Sequence, residues 1–398
     1  AVVGKFAGSN ALGSVGSTAI LVTLFTSFLI GVGGGINVLV ALHIGAGNKK
    51  EAKETITTAY VLCLCMGILL LIVGISSARG ILSLMNTKPE LIDGAVLYLR
   101  IYFLGLPAVG VYNCGNAILS AAGDTKRPLY YLAFAGVVNV ILNLFFVIVC
   151  HLGVAGVALA SMISQFISAF LILRALLTGK EKYCLRLSEI RFDKRKAVGI
   201  LQIGIPSAFQ YSLFAFANLF VQSSVNSFDH VLVEGNSAAA NADPLVYDMM
   251  AAFYTACSSF IAQNFGARKK KRILQTYLIC LFYSFITSLV LGVGIYLARY
   301  PFLYLFTSDK AVVEAGITRL SIMALSYSAS AFMDASIAAS RGLGKTAVPT
   351  FVVVMGSCVF RIIWIYTIFA YFHTIQSLYI LYVFSWGITA IAENIYFF

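Results

Sequence analysis

The stretch IGAGNKK at residues 44–50 returns 221 residues later, at 265–271, as FGARKKK. Further along, VGISSAR at 73–79 recurs at 293–299 as VGIYLAR after a shift of one residue. The first offset also relates two glycines and two prolines, Gly123 with Gly344 and Pro128 with Pro349. Matches in the same order over such a distance indicate that half of the protein was duplicated. In an apolar chain, a duplication of this kind is typical of membrane transporters.

The composition places the chain in a membrane. Hydrophobic residues make up 60% of its 398 residues and charged residues only 11%, with a mean hydropathy of +0.90. Soluble proteins carry about 25% charged residues, so most of this surface is expected to face lipid. Apolar runs of about 20 residues predict membrane-spanning helices. Eleven such runs occur, at 18–44, 55–76, 93–120, 129–150, 154–177, 198–227, 242–265, 273–298, 311–340, 349–372 and 375–398.

Basic residues are distributed very unevenly between the predicted loops. Twenty of the 28 Lys and Arg residues lie in alternate segments, around 45–53, 123–128, 174–198, 267–272 and 341–345. Positively charged loops stay in the cytoplasm, so these segments are predicted to be cytoplasmic. The net charge of +12 is then explained by membrane topology, and no nucleic-acid partner is expected. The basic run at 268–272 is expected to lie beside lipid head groups.

The repeat also predicts the domain organisation. The second half has six predicted spans and the first half five, so we expect a first helix to be missing from residues 1–177, the N-terminal lobe. A cytoplasmic linker is predicted at 178–197 and a C-terminal lobe at 198–398. Two six-helix lobes share one orientation, with a pseudo-two-fold axis along the membrane normal. Eleven of twelve helices would then be present in an all-α membrane protein, with residue 1 outside and residue 398 in the cytoplasm.

Apart from Asp93 and Glu314, which lie in the first turn of their predicted spans, the acidic residues within predicted spans all occur in the second half, at Asp243, Asp248, Asp334 and Glu393. An ionisable group inside a bilayer is costly, and each is therefore a candidate for function. At 100° per residue, Asp248 shares a helix face with Thr255 and with two further polar residues, Ser259 and Gln263, while Asp243 points to nearly the opposite side.

A second polar face contains Ser326, Ser330 and Asp334, with Tyr327 beside them. Such oxygen-rich faces can coordinate a small cation or relay a proton. We therefore predict cation coupling at Asp334, with Ser330 beside it, and at Asp248, with Thr255 beside it. No firm metal site is predicted apart from a Na⁺ ion at Asp334. The alternative is that both faces make only hydrogen bonds between helices.

Polar residues on other spans are candidates for the wall of a substrate cavity. In the span 198–227, Ser207, Gln210, Asn218 and Gln222 lie within an arc of about 120°. The predicted cavity residues are Gln210, Asn218, Asn139, Asn143 and Gln263, with hydrogen bonding between packed helices as the alternative.

Two further predictions concern packing inside the membrane. Arg361 lies well inside its predicted helix and needs a buried partner, for which Asp334 and Glu393 are the candidates. We predict a structural ion pair of Arg361 with Glu393, with a contact between Arg361 and substrate as the alternative. The glycine-rich run at 31–35 has no preceding strand, so we interpret it as a site of close helix packing and not as a phosphate-binding loop.

Four stretches resemble the multidrug and toxic compound extrusion (MATE) family: VGKFAG at 3–8, GAG at 45–47, AGDTKRP at 122–128 and QNFGA at 263–267. The resemblance covers essentially the whole chain. It implies a twelve-helix exporter of two six-helix lobes around a central cavity in the cell membrane. It also implies export of amphipathic, often cationic compounds, driven by inward flow of H⁺ or Na⁺.

The chain departs from the family pattern in three places. The acid usually found near the outer end of the first helix would precede residue 1. The glutamate of sodium-type members on the seventh helix has no counterpart in 198–227. Asp334 lies on the same helix as another acid of those members but at a different distance from Arg341, so it is at most an analogue of that acid.

Efflux by H⁺ or Na⁺ antiport through alternating access is the predicted function. The alternative is a flippase for lipid-linked saccharides of the same superfamily, which a basic cavity would favour; four in-span acids favour a cationic or neutral cargo instead. No pore motif indicates an ion channel, and no catalytic motif indicates an enzyme. We expect small organic substrates and membrane lipids as partners, a monomer, and no cofactor besides the coupling ion.

Overall fold

The computed structural model describes residues 6, 8–85, 87–178 and 191–398. Every regular element in these residues is a helix, which confirms the predicted all-α class. The chain forms two compact units, Ala1–Phe209 and Gln210–Phe398.

The N-terminal unit contains seven described helices and the first half of an eighth. They are α1 (Ser9–Ser17), α2 (Ala19–Gly45), α3 (Lys49–Leu84), α4 (Pro89–Phe103), α5 (Leu106–Ala121), α6 (Lys126–Leu144), α7 (Gly153–Thr178) and α8 (Lys194–Val225). A π-helical segment, Phe145–Val149, extends α6.

The C-terminal unit contains the second half of α8 and the helices that follow it. They are α9 (His230–Ala240), α10 (Ala242–Gly266), α11 (Lys270–Leu297), α12 (Arg299–Tyr304), α13 (Lys310–Gly342), α14 (Ala347–Val353), α15 (Phe360–Trp364), α16 (Ala370–Phe372) and α17 (Ile375–Phe397). Two π-helical segments, Val354–Val359 and Ile365–Phe369, join α14, α15 and α16 into one rod.

The described helices account for the eleven predicted spans. Ten helical stretches are long and apolar enough to cross a membrane. The predicted span 93–120 is formed by α4 and α5, which are bent by 46° to each other. Pro107 lies in the first turn of α5, where its missing N–H costs no helical hydrogen bond. The chain is therefore a multi-pass membrane protein.

Helix ends explain why the repeat preserves certain glycines. Gly123 follows α5 with φ +90°, and Gly344 follows α13 with φ +77°. Both residues adopt the left-handed conformation that glycine accepts without strain and that often ends helices. Gly47 has φ +70°, whereas its repeat partner Arg268 adopts φ 57° without that freedom. The duplicated positions thus mark the C-terminal ends of equivalent helices in the two halves.

The glycine-rich run packs α2 tightly against the first half of α8. A Cβ on Gly31 would lie 2.6 Å from Ala208, and one on Gly35 would lie 2.3 Å from the carbonyl oxygen of Ile200. Only glycine allows the two backbones to approach so closely. The interpretation of the run as a packing site is confirmed.

We expect Gly35→Ala to destabilise the protein by about 1–3 kcal/mol, because the new methyl group meets rigid backbone. The measurement is the thermal unfolding midpoint of the purified protein in detergent. Gly136→Ala on α6 is the matched control, since nothing lies within 4 Å of its added Cβ. An unchanged midpoint for the Gly35 variant would contradict the close packing.

Polar contacts, as well as the close packing of glycines, attach the first half of α8 to the N-terminal unit. Lys196 forms an ion pair with Glu51 of α3, and the hydroxyl of Thr58 donates to the carbonyl of Arg191 at 3.3 Å. The two compact units divide within α8, after residue 209. Most of the predicted linker lies outside the described residues, and its last residues begin α8. The lobe boundaries at 177 and 198 stay a prediction.

The middle of the C-terminal unit is occupied by α13. It packs against α9, α10, α11 and α17. Its sequence is rich in Ala, Ser and Gly, whose small side chains let several helices approach it at once. Asp309 caps its start by accepting a hydrogen bond from the backbone N–H of Ala311 at 2.8 Å. Any polar side chain on α13 is consequently surrounded by other helices.

Candidate functional site

The C-terminal unit encloses a cavity of about 480 Å³. Side chains from α8, α9, α10, α13, α15 and α17 line it. Six are aromatic: Tyr211, Phe214, Tyr247, Tyr379, Tyr382 and Trp386. Four are charged: Asp243, Arg319, Asp334 and Arg361. Cavities of about 300–1,000 Å³ with apolar walls and a few polar groups are typical of small-molecule sites.

Asp334 presents a half-buried carboxylate to this cavity. Within the described part of the chain it has no hydrogen-bond donor and no basic partner within ion-pair distance. Ser330, one turn earlier on α13, is fully buried and donates to the carbonyl of Tyr327 at 2.9 Å. The two residues share a face, as predicted, but Ser330 does not line the cavity. The carboxylate is thus available to a cation.

Arg361 is 2% exposed and lines the same cavity. Its Nε donates to Ser385 Oγ at 3.3 Å, and its Nη1 donates to Asn218 Oδ1 at 2.7 Å. Its guanidinium carbon lies 4.6 Å from the ring centroid of Tyr382 and 5.6 Å from that of Phe214. Neutral and aromatic groups therefore hold this guanidinium in place without neutralising it.

The predicted ion pair of Arg361 with Glu393 is not formed. Both carboxylate oxygens of Glu393 are enclosed and lack a hydrogen-bond partner in the described residues. Arg361 reaches Ser385, eight residues before Glu393 and about 12 Å away along α17. The base that interacts electrostatically with Glu393 is Arg341. The prediction failed because it did not consider the position of each group along the membrane.

A different, partly buried ion pair joins α10 to α13. Arg319 Nη2 donates to Asp243 Oδ2 at 2.5 Å, and Nη1 donates to both oxygens of Asn236, the carbonyl and Oδ1, at 3.2 Å. The hydroxyl of Tyr327 also donates to Asp243. This pair was not predicted from the sequence, although one acid and one base in neighbouring apolar spans were a usable signal. Two of the four charges of the cavity are thereby compensated.

The other predicted residues divide between the cavity and elsewhere. Asn218 lines the cavity, whereas Gln210 accepts a hydrogen bond from Arg341 Nη2 at 3.4 Å. Asp248 and Thr255 are exposed on α10, and Gln263 is half-buried near the end of that helix. None of these last three residues lines the cavity of the C-terminal unit.

Asn139 and Asn143 lie on α6 in the N-terminal unit. The side-chain amide of Asn139 donates to Ser164 Oγ on α7 at 3.2 Å, and that of Asn143 donates to the carbonyl of Asn139 at 2.9 Å. These hydrogen bonds connect α6 to α7 and tie the two asparagines together. Their predicted place in a substrate cavity stays a prediction.

Asp334 is a single unpaired carboxylate at the cavity and does not form a complete metal cage. Among the described residues, no group of three or more His, Cys, Asp or Glu side chains could hold a metal ion. A single carboxylate suits a proton. It suits Na⁺ as well, provided that water or substrate supplies the remaining oxygen ligands.

Comparison with known proteins identifies relatives over most of the chain. The sequence profile of the MatE family matches residues 1–145 and 206–367. A probable multidrug resistance protein of Bacillus subtilis, YoeA, is 28% identical over 82% of this chain and 72% of that protein. An FAD transporter of Shewanella oneidensis is 24% identical over 77% of this chain and 69% of that protein.

Solved structures share the fold. The chain is similar to a multidrug resistance transporter of the MATE family in an outward-facing conformation, with a TM-score of 0.93, 21% identity and coverage of 100% of this chain and 90% of that one. A MOP superfamily transporter from Pyrococcus furiosus gives a TM-score of 0.92 at 21% identity, with the same coverage.

Proposed function

Because the chain belongs to the MatE family of membrane transporters, we propose that it exports amphipathic organic compounds, including compounds with a cationic group, in exchange for H⁺ or Na⁺ by alternating access. The observation that carries this proposal is the carboxylate of Asp334, which faces an aromatic cavity without a hydrogen-bond or ion-pair partner in the described residues.

An unpaired carboxylate inside a membrane protein is costly, and binding a cation removes much of that cost. The same group can therefore hold H⁺, Na⁺ or a cationic group of the substrate, but only one of them at a time. Competition for one carboxylate is a simple physical basis for antiport. The cation must also bind more tightly in one state of the transporter than in the other, because otherwise its gradient could not drive transport.

The cavity wall supports a substrate with aromatic rings. Tyr382 lies 5.5 Å from Trp386 between ring centroids, and Tyr247 meets Trp386 edge-on at 6.2 Å. Aromatic side chains bind flat ring systems by stacked or edge-to-face contact. The two relatives named above differ in cargo, drugs for one and FAD for the other. We propose aromatic organic compounds as the cargo here.

The test is transport by the full chain in proteoliposomes with an imposed proton or sodium gradient. We expect a fluorescent aromatic cation to move uphill in the direction opposite to the coupling ion, and an ionophore for that ion to stop it. Protein-free vesicles are the control. A lipid-linked saccharide is offered in parallel. Movement of the lipid alone would overturn the proposal and favour the flippase. Dye movement that ignores both gradients would overturn the proposed antiport.

A further inference from the structure

We propose that Arg361 binds an anionic group, a carboxylate or a phosphate, on the aromatic substrate. This inference rests on the proposed function, because it takes the cavity of the C-terminal unit as the substrate site. It adds a requirement that the acids within the spans did not indicate: the preferred cargo carries a negative charge close to its ring.

The strongest support comes from the hydrogen bonds that the Arg361 guanidinium makes and leaves unmade. Nε and Nη1 of Arg361 each have one neutral acceptor, Ser385 Oγ and Asn218 Oδ1. Nη2 has no acceptor among the described residues, and it is not among the fully enclosed nitrogens that lack a partner. A side chain that is 98% buried thus retains a charged donor with access to the cavity.

Arg319 shows what a structural arginine looks like in the same cavity. Its charge is compensated by Asp243, and its Nη1 is satisfied by Asn236. Arg361 has no carboxylate within 4.0 Å in the described residues. A buried guanidinium without a counter-charge is costly unless a ligand supplies one. The two arginines therefore have different roles, one in holding helices together and one in binding.

The surroundings of Arg361 favour an anion attached to a ring. Tyr382 and Phe214 lie beside the guanidinium at 4.6 and 5.6 Å. Because the two rings accept none of these hydrogen bonds, Nη2 is left to donate to an oxygen of a carboxylate or phosphate. Trp386 continues the aromatic wall next to Tyr382. A ring against this wall would place an attached carboxylate or phosphate beside Arg361.

The charges of the cavity then define a substrate class. With Asp243 and Arg319 paired, Asp334 and Arg361 remain as one negative and one positive group. No ion pair joins them, and both line the same cavity. A compound with only a positive charge would leave Arg361 uncompensated. An aromatic compound with a cationic and an anionic group matches both residues.

The experiment is equilibrium binding to the purified full chain in detergent micelles, followed by fluorescence anisotropy. The probes are an amino-substituted xanthene dye with a free benzoate and its methyl ester, which differ only in the anionic group. We expect the acid to bind about ten- to a hundredfold more tightly than the ester, as for a charge-assisted hydrogen bond in a buried site. An aryl phosphate and its parent phenol form a second pair, which distinguishes recognition of phosphate from recognition of carboxylate.

Two variants test the residue. Arg361→Gln should remove the preference for the acid, so that acid and ester bind to this variant within about twofold of each other. Arg361→Lys should keep part of the preference, because it retains the charge but loses the planar fork. The control is Arg79→Gln, which removes an exposed positive charge outside the cavity.

Equal binding of both members of each pair by the unmodified protein would overturn the inference without any variant. An equal loss of acid and ester binding in Arg361→Gln would show a merely structural role. Binding and transport are independent readouts. A preference for the acid without gradient-driven efflux would support the anion site and overturn the proposed function. Gradient-driven efflux without a preference for the acid would support the proposed function and overturn the anion site.

Discussion

Asp334→Asn is expected to abolish gradient-driven efflux. Asparagine keeps the size of the side chain but cannot exchange a proton or balance a cation. Coupling between two ligands of a transporter typically changes affinity about 5- to 150-fold, and all of it would be lost if Asp334 is the shared site. The measurement is dye efflux from proteoliposomes under an imposed gradient, and it should fall to the level of protein-free vesicles. Downhill movement of the dye can persist.

Asp248→Asn is the matched control for this variant. It removes the same group from the neighbouring helix α10, where the side chain is exposed and outside the cavity. We expect its efflux to stay within about twofold of the unmodified protein. Full coupled efflux by the Asp334 variant would remove that residue from the mechanism. Loss of coupling in the Asp248 variant alone would transfer the role to α10.

Asp243→Asn is expected to lower the free energy of unfolding by about 3 kcal/mol. Removing one partner of a buried ion pair leaves the other charge uncompensated, which costs about 3–5 kcal/mol. We take the lower value because the side chain of Asp243 is 25% exposed, whereas that of Arg319 is 7% exposed. The measurement is thermal or denaturant unfolding of the purified protein in detergent, followed by tryptophan fluorescence.

Two controls separate charge from packing. The double variant Asp243→Leu with Arg319→Met removes both charges and should be more stable than Asp243→Asn alone. Asp93→Asn breaks the exposed pair with Arg79, at 3.3 Å, and should change stability by less than about 1 kcal/mol. If the double variant were the less stable of the two, the uncompensated charge of Arg319 could not be the cause.

The fold was largely predictable because lipid restricts the backbone. A spanning segment without water must form its own hydrogen bonds, so apolar runs of sufficient length predict helices. The spacing of Gly123 and Gly344 predicted the repeat, and their left-handed conformations explain it. The division within α8 was not predictable in this way. A continuous helix gives no composition signal at the point where its packing partners change.

The site was only partly predictable because a helical wheel gives relative faces and not their environments. The wheel correctly separated Asp243 from Asp248, but on this helix the face of Asp248 was predicted to be the functional one. The structure places Asp243 at the cavity and leaves Asp248 exposed. Asp243 forms an ion pair with Arg319 of α13. This contact depends on tertiary packing, which a helical wheel does not describe. Asp334 was predicted because an isolated acid in an apolar span is already informative, and it lines the cavity.

Arg361 lies on α15, a short α-helical stretch between two π-helical segments, Val354–Val359 and Ile365–Phe369. A π-turn accommodates one more residue than an α-turn, so the segment before α15 sets which way Arg361 faces. Deleting one residue there would rotate the arginine by about 100° relative to α14. In such a deletion variant the rod would keep its length to within one residue. The polarity of the cavity therefore depends on insertions and deletions in this π-helical segment as well as on residue identity. An arginine that aligns with Arg361 in a related sequence need not indicate the same cargo.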